Sequence, residues 1–122
     1  MTAFYDPDAA LARIQRDIAD AKERAERAQE VRARIDLVRG VGRSPRGEVV
    51  VEVDATGMLR DVTLSDAAMD LRPDELARLI KDAARVAQRD AGTRTVALAQ
   101  DAFGEESPMV AHLRAEVEQR YV

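Results

Sequence analysis

The apolar residues in the first third of the chain are spaced as in a helix. From residue 8 to about residue 37 they recur at alternating intervals of three and four, which predicts one long helix with a coiled-coil seam. Arg32 interrupts the seam, with Val31 beside it as a substitute apolar residue. Much of the seam is alanine, so another helix can approach closely. Its members are Leu11, Ile14, Ile18, Ala21, Ala25 and Ala28.

A second spacing, in which every other residue is apolar, follows and predicts a small antiparallel sheet. Glycines and a proline between residues 40 and 47 prevent the first helix from continuing. The predicted segments are a short irregular strand over 37–43, a loop over 44–47, a hairpin of strands over 48–54 and 58–65, and a linker over 66–72. The residues expected to pack under a helix are Val49, Val51, Val53, Val62 and Leu64.

Helical spacing returns at Pro73, which suits the first position of a helix. This second helix is expected to reach about Ala102, to be weakened midway by Gly92, and to stop at Gly104. A short amphipathic helix starts at Pro108. The chain is therefore predicted to be α+β: a long helix, a three-stranded antiparallel sheet, a long helix and a short C-terminal helix. The predicted units are a domain over 1–104 and a helical tail over 105–122.

The composition indicates a thin core. Of the 122 residues, 22 are alanine, there is no tryptophan, and only four residues are aromatic. The first helix would be about 45 Å long, whereas a strand of six or seven residues covers only about 20 Å. The sheet of one chain therefore leaves the seam exposed, and we expect a second copy to bury it. The predicted dimer interface consists of Leu11, Ile14, Ile18, Ala21 and Ala25.

The charges are unevenly distributed. Residues 13–46 contain ten basic and six acidic side chains, a net charge of +4. Since the whole chain has a net charge of −4, the other residues together carry −8. This balance disfavours a protein that coats nucleic acid with its whole surface but allows a local basic strip. There is no cysteine, which excludes disulfides. We find no signal sequence and no membrane-spanning run, and therefore expect a cytoplasmic protein.

Two stretches resemble those of a known family. The hairpin GEVVVEVDATGMLRDVTL and the helix LRPDELARLIKDAARVAQRDA, placed after a long first helix, are similar to the YbaB/EbfC family. The resemblance covers roughly residues 10–100. It implies a bacterial, nucleoid-associated, DNA-binding protein that forms a tweezer-shaped α-β-α homodimer. Double-stranded DNA, bound with weak sequence preference, would be the partner.

Five arginines of the first helix share one side. At about 100° per residue they lie within an arc of about 80°, away from the seam. Guanidinium groups in a row suit successive DNA phosphates. Alternatively, acids placed four residues earlier could pair with them and make an ordinary solvated face. The predicted DNA-binding residues are Arg13, Arg16, Arg24, Arg27 and Arg34, with Arg43 and Arg46 extending them from the loop.

Other chemistry has little support. Glu52 and Asp54 share a strand face, but no histidine accompanies them, so we expect no metal. His112 has no acid or nucleophile that would make a catalytic set. We therefore predict a protein without cofactor or catalytic activity. The alternative to DNA binding is a protein-interaction module of the same fold, whose protein partner the sequence does not identify.

Overall fold

The structure, a computed structural model, describes residues 6–120 and confirms the predicted α+β architecture. The three strands form one antiparallel sheet in the order β1-β2-β3. The elements are α1 (Pro7–Asp36), β1 (Arg39–Arg43), β2 (Val49–Asp54), β3 (Leu59–Leu64), a 3-10 turn (Asp66–Asp70), α2 (Pro73–Phe103) and α3 (Pro108–Arg120). Within residues 6–120 no helix is both long and apolar enough to cross a membrane.

Helix α1 is capped by Asp6 and projects from the rest of the fold. The Asp6 carboxylate accepts a hydrogen bond from the Asp8 amide at 3.0 Å, and Pro7 occupies the first turn. Every residue from 11 to 30 is exposed in the single chain. Val31 is buried at the base of the helix, but at about 100° per residue it lies on the side of Arg27 and Arg34. It therefore does not continue the apolar seam in place of Arg32, and that prediction is wrong.

Helix α2 covers β1 and β2 and forms the main core with them. Val49, Val51 and Val53 are completely buried and pack with three alanines of α2, which are Ala83, Ala87 and Ala91. Small residues on the helix allow the sheet to come close. The core is accordingly thin, as the alanine content predicts.

Two glycines of β1 make this close approach possible. A Cβ on Gly40 would lie 2.6 Å from the Ala91 amide nitrogen, and one on Gly42 would lie 2.7 Å from the Ala87 amide nitrogen. Contacts this short leave no room for a side chain. The glycines that prevent a helix here therefore also set the distance between sheet and helix.

Strand β3 is less covered than predicted. Val62 is only half-buried and Leu64 is 38% exposed, because α2 packs mainly over β1 and β2. Both residues were expected to pack under the helix. Val62 does so in part, whereas Leu64 remains exposed. Strand β3 thus forms an edge with apolar side chains at the surface.

The segment predicted as a linker contains a 3-10 turn. Ala68 in that turn is completely buried, so the connection from β3 to α2 packs against the fold. Its backbone bonds, Ala68 N to Ser65 O at 3.0 Å and Leu71 N to Ala68 O at 3.2 Å, close the turn locally. Such short turns commonly serve as connectors between longer elements.

Helix α2 runs without interruption through Gly92 and ends at Gly104, whose φ of +86° suits glycine at a helix end.

Helix α3 then folds back onto α2. Val110 is completely buried with Val96 and Ala99. Gly92 faces Val117 so closely that a Cβ on it would meet the valine Cγ1 at 2.7 Å. The predicted weak point of α2 is therefore the position at which α3 packs.

Candidate nucleic-acid interface

The five arginines predicted to bind DNA lie on the projecting part of α1, and all are exposed. We call this set, Arg13, Arg16, Arg24, Arg27 and Arg34, the arginine row. A continuous helix places them on one side because their positions fall within an arc of about 80°. The structure therefore presents a row of guanidinium groups along about 30 Å of helix.

Few of these guanidinium groups are neutralised within the chain. Three pairs place an acid four residues before an arginine of the row: Asp20–Arg24, Glu23–Arg27 and Glu30–Arg34. One of them forms, with Arg27 Nη2 3.2 Å from Glu23 Oε1. The other arginines of the row make no ion pair with residues 6–120. The exposed Glu23 pair itself contributes little, since such surface pairs are worth about 1 kcal/mol or less. The alternative, in which acids pair with these arginines to make an ordinary solvated face, is thus observed at Arg27 alone among residues 6–120.

The arginine row lies on the side of α1 that faces α2 at the base of the helix. Val31 is the buried residue of α1, and α1 packs on α2. Arg27 precedes Val31 by four residues and Arg34 follows it by three, so all three share one side of the helix. The row therefore continues upward from the contact between the two helices.

Arg43 and Arg46 lie elsewhere. They occupy the β1–β2 end of the sheet, whereas α1 meets the sheet at the opposite end of β1, beside Arg39. The length of a five-residue strand, about 15 Å, separates the two places. The structure does not bring these loop arginines together with the arginine row in one chain.

The loop that carries Arg46 is held by a buried polar pair. Ser44 Oγ donates to Glu48 Oε1 at 2.9 Å and accepts from the Val49 amide at 3.0 Å. The pKa of the Glu48 carboxyl lies below its usual value. The main cause is a hydrogen bond from the backbone amide of Glu48 itself, and the Ser44 hydroxyl is the second cause. The loop is therefore ordered around the Glu48 carboxylate.

Asp54, one of the two acids considered as metal ligands, stabilises a turn. Asp54 Oδ1 accepts bonds from the Thr56 amide at 2.9 Å, the Thr56 hydroxyl at 2.6 Å and the Met58 amide at 3.0 Å. The Thr56 hydroxyl is the main cause that lowers the pKa of Asp54. Among residues 6–120 no three His, Cys, Asp or Glu side chains are grouped so that they could bind a metal ion.

The predicted seam lies on the other side of α1. Leu11 and Ile14 are each 54% exposed, and Ile18 is 62% exposed. Ala21 and Ala25 are exposed as well. The single chain therefore leaves a row of apolar side chains in water along the projecting helix. Isolated exposed apolar residues are common, but a regular row is typical of an interaction surface.

The structure combines a projecting arginine-rich helix with a three-stranded antiparallel sheet covered by a second long helix. The model of the YbaB/EbfC DNA-binding family matches residues 11–105, which is most of the chain. No curated protein matches the chain. The chain belongs to the YbaB/EbfC DNA-binding family. It is accordingly a DNA-binding, nucleoid-associated protein of a non-enzymatic family, and the family implies a place at the cytoplasmic nucleoid.

Proposed function

We propose that the protein is a homodimer that binds double-stranded DNA through phosphate contacts made by the arginine row of α1. The observation that carries this proposal is the state of that row: five exposed guanidinium groups on one side of the helix, of which only Arg27 is paired within residues 6–120. Phosphate contacts position a protein on the duplex without reading bases, so sequence preference is weak.

The family match and the charge distribution support the same function. The matched range begins at residue 11 and so includes the whole arginine row. The chain as a whole is acidic, with a net charge of −4. Residues 13–46 carry +4 of charge, so this part of the chain attracts DNA more than the acidic remainder does.

A second copy would complete the arrangement. The exposed seam, from Leu11 to Ala25, has coiled-coil spacing, and its alanines permit close approach of an identical helix. The arginine row is on the other side of α1, so pairing along the seam leaves the guanidinium groups accessible. Two copies then present two rows to one duplex.

A salt titration tests the phosphate contacts. Fluorescence anisotropy with two duplexes of unrelated sequence measures the dissociation constant at several salt concentrations. With about two contacts per protomer, a dimer should show a slope of roughly −3 to −4 in log K against log salt. The variant Arg16→Gln/Arg27→Gln should weaken binding to both duplexes alike and flatten that slope.

The matched control is Lys81→Gln. Lys81 is exposed near the start of α2, away from both the arginine row and the seam of α1. The variant should change the slope much less than either single variant Arg16→Gln or Arg27→Gln. Equal slopes for wild type and the double variant would reject the arginine row as the contact. If the wild type also fails to bind duplex at low salt, the alternative of a protein-interaction module applies.

A further inference from the structure

A groove at the base of α1 brings together arginines from three elements. It has a volume of about 360 Å³ and lies between the end of α1, the start of β1 and the second half of α2. Its basic side chains are Arg34 of α1, Arg39 of β1 and Arg94 of α2. Its one acidic side chain is Asp101. The lining side chains therefore sum to +2, of which the Asp90 carboxylate paired with Arg94 offsets one unit.

Most of the guanidinium donors in the groove remain available. Arg39 uses Nη1 alone, which donates to Val38 O at 2.8 Å and to Asp36 O at 3.1 Å at the end of α1. Arg94 uses Nε, which lies 3.2 Å from Asp90 Oδ2. The remaining nitrogens of both side chains donate no hydrogen bond within residues 6–120.

One guanidinium of the groove is held in place before a ligand binds. The bonds from Arg39 to the end of α1 fix it, which reduces the entropy lost on binding. The apolar side chains between the arginines are Leu37, Val38, Ala97 and Leu98, of which Val38 is buried and Leu37 is 78% exposed.

We infer that this groove, which we call the base groove, binds a phosphate group, and that the group belongs to the DNA backbone. The inference deepens the proposed function and rests on it for the source of the phosphate. Arg34 belongs both to the arginine row and to the base groove. A strand of DNA that follows the arginine row to Arg34 therefore also reaches Arg39 and Arg94, which line the same groove.

Asp101 provides the sharpest test, because its removal should improve binding. It lines the base groove and makes no ion pair within residues 6–120, so Asp101→Asn breaks no contact there. We expect the variant to bind duplex DNA about threefold more tightly at low salt, as for one unit charge near a surface. A misfolded variant would lose affinity, so a gain is informative.

The matched control is Asp82→Asn, which changes the net charge equally. Asp82 is also exposed on α2, about 28 Å along the helix from Asp101. A gain for Asp101→Asn that clearly exceeds the gain for Asp82→Asn supports the base groove. Equal effects would overturn it. If Arg16→Gln/Arg27→Gln still flattens the salt slope in that case, the proposed function stands while this inference fails.

A second measurement separates DNA phosphate from free phosphate. Backbone amide NMR shifts of Ala97 and Leu98 should respond to a short duplex, and Arg94→Gln should abolish the response. Inorganic phosphate should produce a weaker response at the same amides. Equal responses to phosphate and duplex, at equal concentrations of phosphate groups, would contradict a DNA source. No response to either ligand would reject the site.

Discussion

The carboxylate of Asp90 on α2 accepts a hydrogen bond from the backbone amide of Val41 on β1, with 3.0 Å between Oδ2 and N. Strand β1 is at the edge of the sheet, so this amide has no strand partner on that side. The same carboxylate oxygen lies 3.2 Å from Arg94 Nε. One side chain therefore blocks a sheet edge and orders an arginine of the base groove.

We expect Asp90→Ala to lower the free energy of unfolding by about 1 kcal/mol. Val41 is 37% exposed, so water can replace the lost acceptor and the cost stays at the lower end for an unsatisfied amide. Urea denaturation followed by circular dichroism measures the change. The variant Asp82→Ala, on the same helix and without this bond, should change the unfolding free energy much less. Equal losses would show that Asp90 does not stabilise the edge.

The local elements could be predicted from the sequence because each has a local cause. Alternating valines define β2, and Pro73 and Gly104 mark the two ends of α2 within one residue of the prediction. The 3-10 turn was missed because the burial of Ala68 depends on packing in the folded chain, which no local pattern signals. Boundaries and periods are local properties, whereas burial is not.

The arginine row was predictable for the same reason, since helical periodicity alone places its members together. The base groove was not. Arg39 and Arg94 are 55 residues apart in the chain, and only the packing of α1 and β1 on α2 brings them near Arg34. One signal was present: Gly40 and Gly42, interpreted as helix breakers, also mark a close approach of two backbones.

Gly92→Ala should release α3 while α2 keeps its helix. The added Cβ would lie 2.7 Å from Val117 Cγ1, so the two helices cannot keep their present distance. Alanine itself favours the helix by about 1 kcal/mol over glycine, which protects α2. Limited proteolysis should therefore cut within or before α3 at least several-fold faster. The double variant Gly92→Ala/Val117→Ala removes the clash and should restore protection; continued rapid cleavage would contradict this explanation.

The Ser44–Glu48 pair should make stability depend on acid pH. Because folding lowers the pKa of Glu48 from its usual value of 4.5, the ionised carboxylate contributes stability above that pH. The contribution is lost as the pH falls through the lower pKa of the folded state. The urea midpoint of wild type should therefore exceed that of Glu48→Gln at about pH 6, and the difference should shrink toward about pH 3.

The control for this pH dependence is Glu52→Gln. Glu52 is on strand β2, four residues after Glu48, but its side chain makes no hydrogen bond within residues 6–120. Its urea midpoint should follow that of wild type across the same pH range. A wild-type advantage over Glu48→Gln that persists unchanged at about pH 3 would show that the carboxylate charge is not the source of the stability.

Ile18→Asp should dissociate the proposed dimer. Ile18 is 62% exposed in the single chain and lies in the middle of the predicted seam, so pairing along α1 would bury it. A carboxylate buried without a partner costs several kcal/mol, which is enough to shift a dimer to monomer at about 10 μM. Sedimentation equilibrium should show a dimer for wild type and a species near 13.5 kDa for the variant.

The matched control is Ala19→Asp, which adds the same charge to an exposed position about 130° from the seam. This variant should remain dimeric, since its carboxylate stays in water. Circular dichroism should give equal helix content for wild type and both variants, because residues 18 and 19 are exposed in the single chain and their replacement disturbs no packing there. A dimer that survives Ile18→Asp would place the interface elsewhere, with the exposed apolar side chains of β3 as the next surface to mutate.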